Sequence, residues 1–150
     1  TGDATSPTLV SLCQGAVRAF LLNKKGTDVT GRIIPEHHFI IDIISVRTNK
    51  ATPAVFEFTE TSVVLETSIE RALELLETNL AFNILLRKYM ADQTVNLAQK
   101  YLLFLTGTAK ESYHFLIENN HQLLNSIPLR FIASMIGITP TQLSRIRKKK

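Results

Sequence analysis

Apolar positions in the first half of the chain recur with a period of two. Leu9 to Leu12, Ala16 to Leu22 and Asp28 to Ile34 are runs rich in β-branched and other apolar residues, the pattern of half-buried strands. Asn23-Lys24-Lys25-Gly26 lies between the last two and reads as a hairpin turn with glycine where a positive φ is required. Ala54 to Thr59 and Ser62 to Glu66 are shorter alternating runs joined by Thr59-Glu60-Thr61. Together the runs predict an antiparallel β unit of at least five segments, closed as a barrel or packed as a sandwich.

At Thr67 the period changes to 3.6. Thr67-Ser68-Ile69-Glu70 reads as a capping box, and Ile69, Ala72, Leu73 and Leu76 follow at helical spacing to about Glu77. From Leu80 to Leu105 there is no proline or glycine, and Gly107 stands where a C-terminal cap belongs. Leu86, Met90, Gln93 and Leu97 form one seam along this helix, with Ile84, Ala91, Val95, Ala98, Leu102 and Leu105 beside it. A helix of this length spans about 39 Å, more than a small barrel covers, so part of its apolar surface is expected to meet a second copy. An internal helix between two domains is the alternative. A second capping box, Thr108-Ala109-Lys110-Glu111, opens a helix carrying Tyr113, Leu116 and Ile117 that ends at Asn119-Asn120. Two tightly joined helices follow, Pro128 to Ile136 and Pro140 to about Lys148, the second fixed by Thr139 as N-cap and proline at the first helical position. The expected architecture is α+β: a β domain over residues 1–78, a dimerisation helix over 79–107 and a helical domain over 108–150.

Composition narrows the class. The 150 residues are 45% hydrophobic and 20% charged, enough apolar material for one core or two small ones. The longest apolar stretch, Phe39 to Ile44, is interrupted by Asp42 and is far shorter than the roughly 20 residues a bilayer requires. Cys13 is the sole cysteine, so neither an internal disulfide nor a paired-thiol metal site is expected. With no signal-peptide pattern, a reducing cytoplasmic setting follows. The net charge of +4 is unevenly placed: residues 119–150 carry six basic residues and no carboxylate, against 11 basic and 13 acidic residues in the remainder. An acid-free basic segment is the electrostatic footprint of a phosphate-backbone binder, although Lys148-Lys149-Lys150 alone would also serve as a solvated tail.

Chemistry concentrates in that segment. Ile132, Ala133, Ile136, Gly137, Ile138, Leu143 and Ile146 stand at the spacing of a helix-turn-helix. Ala133 must be small where the helices cross, Gly137 lets the chain turn with positive φ, and the isoleucines with Leu143 fill the wedge. Polar or basic side chains remain outward on the second helix, where arginine pairs with guanine and glutamine with adenine in a major groove. The candidate DNA-binding residues are Thr139, Thr141, Gln142, Ser144, Arg145, Arg147 and Lys148. A purely structural αα-hairpin would need the apolar set but not the acid-free face.

The segment from Ile127-Pro128-Leu129-Arg130 through Ile132-Ala133-Ser134 and Gly137-Ile138-Thr139-Pro140 to Leu143-Ser144-Arg145-Ile146-Arg147 closely resembles the DNA-binding end of Crp/Fnr-type bacterial transcription regulators. It is most similar to the Bacteroidetes branch, whose motif runs VPLxxIASYLGITPExLSRIR. Upstream, Gly15-Ala16-Val17-Arg18-Ala19-Phe20 and Gly26-Thr27-Asp28-Val29-Thr30 resemble that family's GxVRxF and GxExT strands. Phe39-Ile40-Ile41-Asp42-Ile43-Ile44-Ser45 resembles its FxxDxxS segment, and Thr108-Ala109-Lys110-Glu111-Ser112-Tyr113 its SAxERY. The resemblance implies a cyclic-nucleotide-binding-type β-roll, a homodimer paired through the long helix, and palindromic promoter DNA and RNA polymerase as partners. By position Arg145 matches the guanine-reading arginine, with Thr141, Gln142 and Ser144 at the other base-facing places. Pro140 and Thr141 replace the basic and acidic side chains of the cyclic-AMP-responsive member, so a different DNA preference is expected. The resemblance also implies an N-terminally incomplete β-roll, since Thr1 to Ser6 lead directly into a mid-barrel strand, and no β-wing after Lys150.

The effector site departs from the family's GELxxL and RxA pattern. Ile41 and Ile44 replace its glycines, Asp42 its glutamate, and Thr52-Pro53-Ala54 stands in place of arginine before a small residue. Without that cation a cyclic phosphate would be desolvated with poor compensation, so cyclic AMP is not expected to bind and no cofactor is assigned. Asp42, Thr52 and Ala54 mark the matching pocket for an unidentified small effector; Asp42 is read chiefly as a turn cap, and Arg47 is the nearest substitute cation. One cysteine cannot hold an iron–sulfur cluster, and Cys13 is read as a buried small hydrophobe; His37-His38 could ligate a metal or haem, but with no third ligand evident the pair is read as a solvated loop. No phosphate loop, dinucleotide fingerprint or nucleophile elbow is present, so catalysis is not expected. The alternative is a ligand-sensing or protein-interaction β-roll with an incidental basic tail.

Overall fold

The computed structural model describes residues 7–50, 52–120 and 127–148. Strands β1 (Thr8–Gln14), β2 (Ala16–Leu22), β3 (Asp28–Pro35), β4 (His38–Ile40), β5 (Val55–Phe58) and β6 (Val63–Ser68) build two three-stranded antiparallel sheets, ordered β4-β1-β6 and β3-β2-β5. The β2–β3 hairpin turns as its sequence predicts: Gly26 has φ 75° and its N–H donates to the Asn23 carbonyl at 2.9 Å. Leu12, Val17, Ile34 and Ile40 form the buried cluster between the sheets, with Val10 and Val64 against it.

The Phe39 to Ile44 stretch is not one apolar run in space. Its first half is β4, paired with β1 through Val10 opposite Ile40. Its second half opens a helix that the two-residue period did not anticipate, α1 (Ile43–Thr48), because the Asp42 carboxylate accepts from the Ser45 N–H at 3.1 Å and starts a helical turn. The cap of the next helix, α2 (Ile69–Thr78), also differs from expectation by one residue. Thr67 and Ser68 pair with Leu9 and Thr8, so β6 runs through Ser68 and the helix begins at Ile69; the capping oxygen is that of Ser68, which accepts from the Arg71 N–H at 3.2 Å. His38 likewise leaves the expected solvated loop, beginning β4 with its ring edge-on to Tyr89 at 5.8 Å, while His37 holds φ 63° in the tight turn before it. Cys13 is half-buried on β1.

The long helix α3 (Leu80–Thr106) starts where the Asn79 side chain accepts from the Phe82 N–H at 2.9 Å. It lies against the β-roll through Tyr89, whose hydroxyl donates to the Phe39 carbonyl at 3.0 Å and accepts from the Phe39 N–H at 3.2 Å. Gln93 also faces the roll, its side-chain oxygen accepting from Arg32. This divides the seam read from the sequence: Leu86 and Gln93 are half-buried, whereas Met90 and especially Leu97 are exposed. The neighbouring stripe of Ile84, Ala91, Val95, Ala98, Leu102 and Leu105 is exposed throughout. It follows the alternating three- and four-residue spacing of a coiled-coil seam once Lys88 is included.

Helix α4 (Ala109–Asn120) opens on the expected capping box, with the Thr108 N–H donating to the Glu111 carboxylate at 2.6 Å and the Glu111 N–H to the Thr108 hydroxyl at 3.3 Å. Those bonds from Thr108 hold the Glu111 carboxyl below its ordinary value. Beyond it come α5 (Leu129–Met135) and α6 (Pro140–Lys148).

Two glycines serve these joints by different means. Gly107 caps α3 in an extended conformation, φ −90° and ψ 164°, not a left-handed one; a Cβ there would stand 2.7 Å from the Leu103 carbonyl oxygen. Gly137 has φ 70° in open space. Gly137→Ala should therefore cost about 1–2 kcal/mol through φ alone, and Gly137→Asn less. Gly107→Ala should destabilise through the clash, with no asparagine rescue. Chemical denaturation of the four variants distinguishes the two causes.

Candidate nucleic-acid interface

Helices α5 and α6 are assembled from the residues that the spacing singled out. Ile132, Ala133 and Leu143 are at most 2% exposed and share one buried cluster with Leu116, Ile127 and Ile33. The turn closes on two carbonyls: that of Ala133 accepts from the Ile136 N–H at 3.2 Å and from the Ile138 N–H at 3.0 Å, and that of Ser134 accepts from the Gly137 N–H at 3.3 Å, with Gly137 at positive φ. A side chain larger than alanine has no room at a position of zero exposure.

Leu143 faces inward on α6, and the opposite face is set by helical spacing. Thr141, Arg145 and Lys148 are exposed along it, with Ser144 half-buried beside them and Gln142 exposed on its flank; Arg147, four residues after Leu143, is exposed but lies off this face. The described part of this helix carries no carboxylate, and its last turn holds Arg145, Arg147 and Lys148. Those cations also suit the negative end of the helix. The structure thus brings Thr141, Ser144, Arg145 and Lys148 onto one surface and sets Thr139 at its N-terminal rim.

Gln142 has a second task that composition did not reveal. Its side-chain oxygen accepts from the Thr139 N–H at 2.8 Å and from the Thr139 hydroxyl at 3.0 Å, while its own N–H donates to that hydroxyl at 3.2 Å. This is a reciprocal capping box, and it fixes the N-terminus of the candidate recognition helix. The spacing Thr-x-x-Gln is the signal that would have found it.

The helical pair is seated on the outer face of the β-roll. Ile33 and Ile34 are adjacent on β3 and point to opposite sides, Ile34 into the roll and Ile33 into the helical cluster. The Thr30 N–H donates to the Ser134 hydroxyl at 2.8 Å. Arg18, 3% exposed, donates to Thr30 at 2.9 Å, pairs with Asp28 and with Glu57 at 3.2 Å, and stacks on Phe131 of α5 at 3.8 Å.

Asp42, Thr52 and Ala54, expected to mark an effector pocket, line neither of two cavities that run along α3. Asp42 is consumed by capping α1 and by accepting from the Thr52 hydroxyl at 2.6 Å. Arg47 is exposed in the last turn of α1. Two cavities lie instead along α3. One of about 470 Å³, between α3 and the roll, is lined by Arg32, Phe39, Phe56, Tyr89, Gln93 and Lys100 among others. The other, of about 550 Å³, opens where β3, the end of α3, α4 and α5 meet, and shares Gly31 and Lys100 with the first. Arg32 and Lys100 were not singled out by sequence. The available signal was a lysine on an apolar helix with no carboxylate three or four residues away.

No helix among the described residues is long and apolar enough to cross a membrane, and none of their His, Cys, Asp and Glu side chains form a metal-holding group.

No family model matches the sequence, and no curated protein matches it. Solved structures do share its fold. A variant of CooA from Carboxydothermus hydrogenoformans superposes with a TM-score of 0.78 at 18% identity, covering 99% of this chain and 69% of its own. FixK2 from Bradyrhizobium japonicum gives 0.78 at 18% identity, over 98% of this chain and 76% of its own. A structure described as a transcriptional regulator of the CRP family, from Thermus thermophilus, gives 0.67 at 15% identity, over 94% and 73%. The α+β architecture of two antiparallel sheets, a long helix and a C-terminal helical pair is therefore a fold already seen in solved structures.

If the capping box holds the α6 N-terminus, Gln142→Ala should lower thermal stability by about 1 kcal/mol, while Gln142→Glu, which keeps the acceptor and adds a favourable helix-dipole interaction, should leave it within a few tenths. Calorimetric melting of the two variants measures the difference.

Proposed function

We propose that this chain is a Crp/Fnr-type transcription regulator, most similar to the Bacteroidetes branch, that acts in the bacterial cytoplasm as a homodimer on palindromic promoter DNA and works through RNA polymerase. The observation that carries the reading is the α5–α6 pair. Its apolar side is locked by Leu143 and Ile132 beneath an exposed face that holds Arg145 and Lys148 and no acid. Electrostatic attraction brings such a face to any duplex, and the fixed spacing of Thr141, Ser144 and Arg145 gives it the means to read base edges. Support also comes from the fold shared with solved structures, one of them described as a transcriptional regulator. Nothing in the geometry favours catalysis, and the absence of an arginine at Thr52 favours a signal other than cyclic AMP.

The second half of the proposal concerns α3. Its stripe of Ile84, Ala91, Val95, Ala98, Leu102 and Leu105 is exposed although apolar, and it runs most of the length of the helix. Pairing with the same stripe of a second copy covers it and sets two recognition helices about one DNA turn, near 34 Å, apart. Val95→Glu places a carboxylate on that seam, next to its own copy, and should convert the dimer to monomer at low micromolar concentration in sedimentation. Persistence of the dimer would place the contact elsewhere.

DNA selection from random duplex pools tests the reading directly: an enriched palindrome supports it, and salt-sensitive binding without sequence preference supports the interaction-module alternative. Within the selected site, Arg145→Ala should cost about 1–3 kcal/mol and shrink the ratio of specific to random binding. Lys148→Ala should weaken all duplexes alike and lower the log–log salt slope by about 0.9. Equal losses on cognate and random DNA for Arg145→Ala would make it a backbone contact.

A further inference from the structure

The exposed stripe of α3 steps by four and three residues in turn once Lys88 is included, so that Lys88, Val95 and Leu102 hold position a of a heptad and Ala91 and Ala98 hold position d between them. The positions that border this stripe bear one charge each. Arg87 stands at g, followed by Thr94 and Tyr101, and Asp92 stands at e, between Leu85 and Gln99. On their own helix the two lie on opposite sides of the stripe, since five residues carry the chain about 140° round the axis. Arg87, Lys88 and Asp92 are all exposed. None has an ion-pair partner among the described residues, whose ion pairs join Arg18 to Asp28 and Glu57 and Arg71 to Glu74. A cation and an acid are thus left unpaired, one on each border of an apolar face.

We propose that the borders of this face select a second copy of the chain lying parallel and in register, with Arg87 of each copy paired to Asp92 of the other and Lys88 limiting the strength of the pairing. The inference rests on the dimer reading above and adds the charges that fix its direction and register. In a parallel pair without offset, position g faces position e of the next heptad on the other helix, and the two-fold axis repeats the contact. Arg87 and Asp92 have that five-residue offset. An antiparallel pair sets g against g and e against e, so Arg87 never meets Asp92. A parallel pair shifted by one heptad sets Arg87 against Leu85 or Gln99 and places Lys88 beside Ala81 or Val95. Small side chains at Ala91 and Ala98 let the helices approach closely next to the ion pair. Lys88 opposes association: two copies bring Arg87 and Lys88 twice and Asp92 twice to the same stretch of the seam, four cations against two acids. A lone lysine at position a specifies how helices pair at a cost in stability.

Sedimentation of the full chain and of charge-exchanged variants tests the proposal without DNA. Arg87→Glu and Asp92→Arg should each weaken self-association about tenfold, because each sets two like-charge pairs across its own seam, and the double variant should return to within about threefold of the wild type. Mixed together, the two single variants should form a heterodimer in preference to either homodimer, since each exchanged side chain then meets its opposite. Lys88→Leu should strengthen the dimer about tenfold. The exchanged side chains are exposed on the single chain, so these variants are expected to fold. Ala91→Cys and Ala98→Cys, each in a Cys13→Ser chain, should both yield disulfide-linked dimers on oxidation, because only a parallel pair in register sets both residues against their own copies. Unchanged association in both single variants, no recovery in the double variant, or a heterodimer at the statistical fraction overturns the ion pair and leaves a dimer through the stripe standing. Cross-linking at neither or only one of the two cysteines overturns the parallel register. A wild type that stays monomeric at about 100 μM overturns the dimer reading itself, and the proposal with it. Because no DNA is present, the outcome is independent of DNA selection.

Discussion

The guanidinium of Arg18 is where the β-roll and the helical pair become one body. It is almost fully buried, yet its two carboxylate partners, Asp28 and Glu57, keep about half of their side chains in water, at 45% and 51% exposed. That asymmetry makes the arrangement tolerable: the acids retain much of their hydration, and the cation is compensated by two charges, the Thr30 hydroxyl and the faces of Phe20 and Phe131. Five groups from β2, β3, β5 and α5 converge on one side chain. Removing the cation would leave two carboxylates without their shared counter-charge and the Thr30 hydroxyl and two aromatic faces without their partner, so the position has little freedom to change. Lysine would lose the fork that reaches Thr30 and both acids at once.

The same economy of position governs β3. A strand sends neighbouring residues to opposite sides, and here the two sides belong to different cores: Ile34 packs among Leu12, Val17 and Ile40, and Ile33 among Leu116, Ile132 and Leu143. Arg32, next in line, faces α3, and Thr30 is bonded to both Arg18 and Ser134. Any event that shifts β3 is thus felt by the cavity beside α3, the long helix and the helical pair together. The coupling needs no path of intermediates, because one strand is the wall of all three.

How much of this was legible follows from what each signal measures. The helix-turn-helix was readable because Ala133, Gly137 and Leu143 each meet a local demand of size, φ or inward spacing, and local demands are written in sequence. The long helix was readable from uninterrupted composition, but its faces were not: Gln93 looks like a seam residue until Arg32, distant in the chain, accounts for it. The helix at Ile43–Thr48 was hidden by its apolar residues, which fit a strand equally well, and only the Asp42 cap distinguishes the two. Ser68 replaced Thr67 as the cap because strand pairing, a long-range property, carries β6 through Ser68 and so starts the helix one residue later, at Ile69. The effector residues were placed by motif position alone, whereas the reading of Asp42 as a turn cap came from its local spacing and matches its bond from the Ser45 N–H. Arg32 and Lys100 meet only in three dimensions, and an unpaired lysine on a helix is a weak signal until a second cation is seen beside it.

Gln142 ties these levels together on the candidate recognition helix. Bidentate recognition of adenine requires both the side-chain oxygen and the amide nitrogen of a glutamine. In this structure the oxygen already accepts two hydrogen bonds from Thr139, which leaves the amide N–H groups as donors. With the box intact, Gln142 can address acceptors alone, such as guanine N7 and O6, thymine O4 or a phosphate oxygen. To read adenine through both groups the box must open, at a cost of about 1 kcal/mol of helix capping. The cost is limited because Pro140 presets the first helical φ and the Thr139 hydroxyl still accepts from the Gln142 N–H. If Arg145 reads guanine as proposed, a donor-only glutamine beside it biases the helix towards guanine-rich half-sites. A glutamine released from its cap gives one that discriminates adenine but starts less firmly. Under the proposed DNA-binding role, the base preference of this surface is coupled to the stability of its own N-terminal turn, because the oxygen that Gln142 would offer to adenine is the one that closes its capping box.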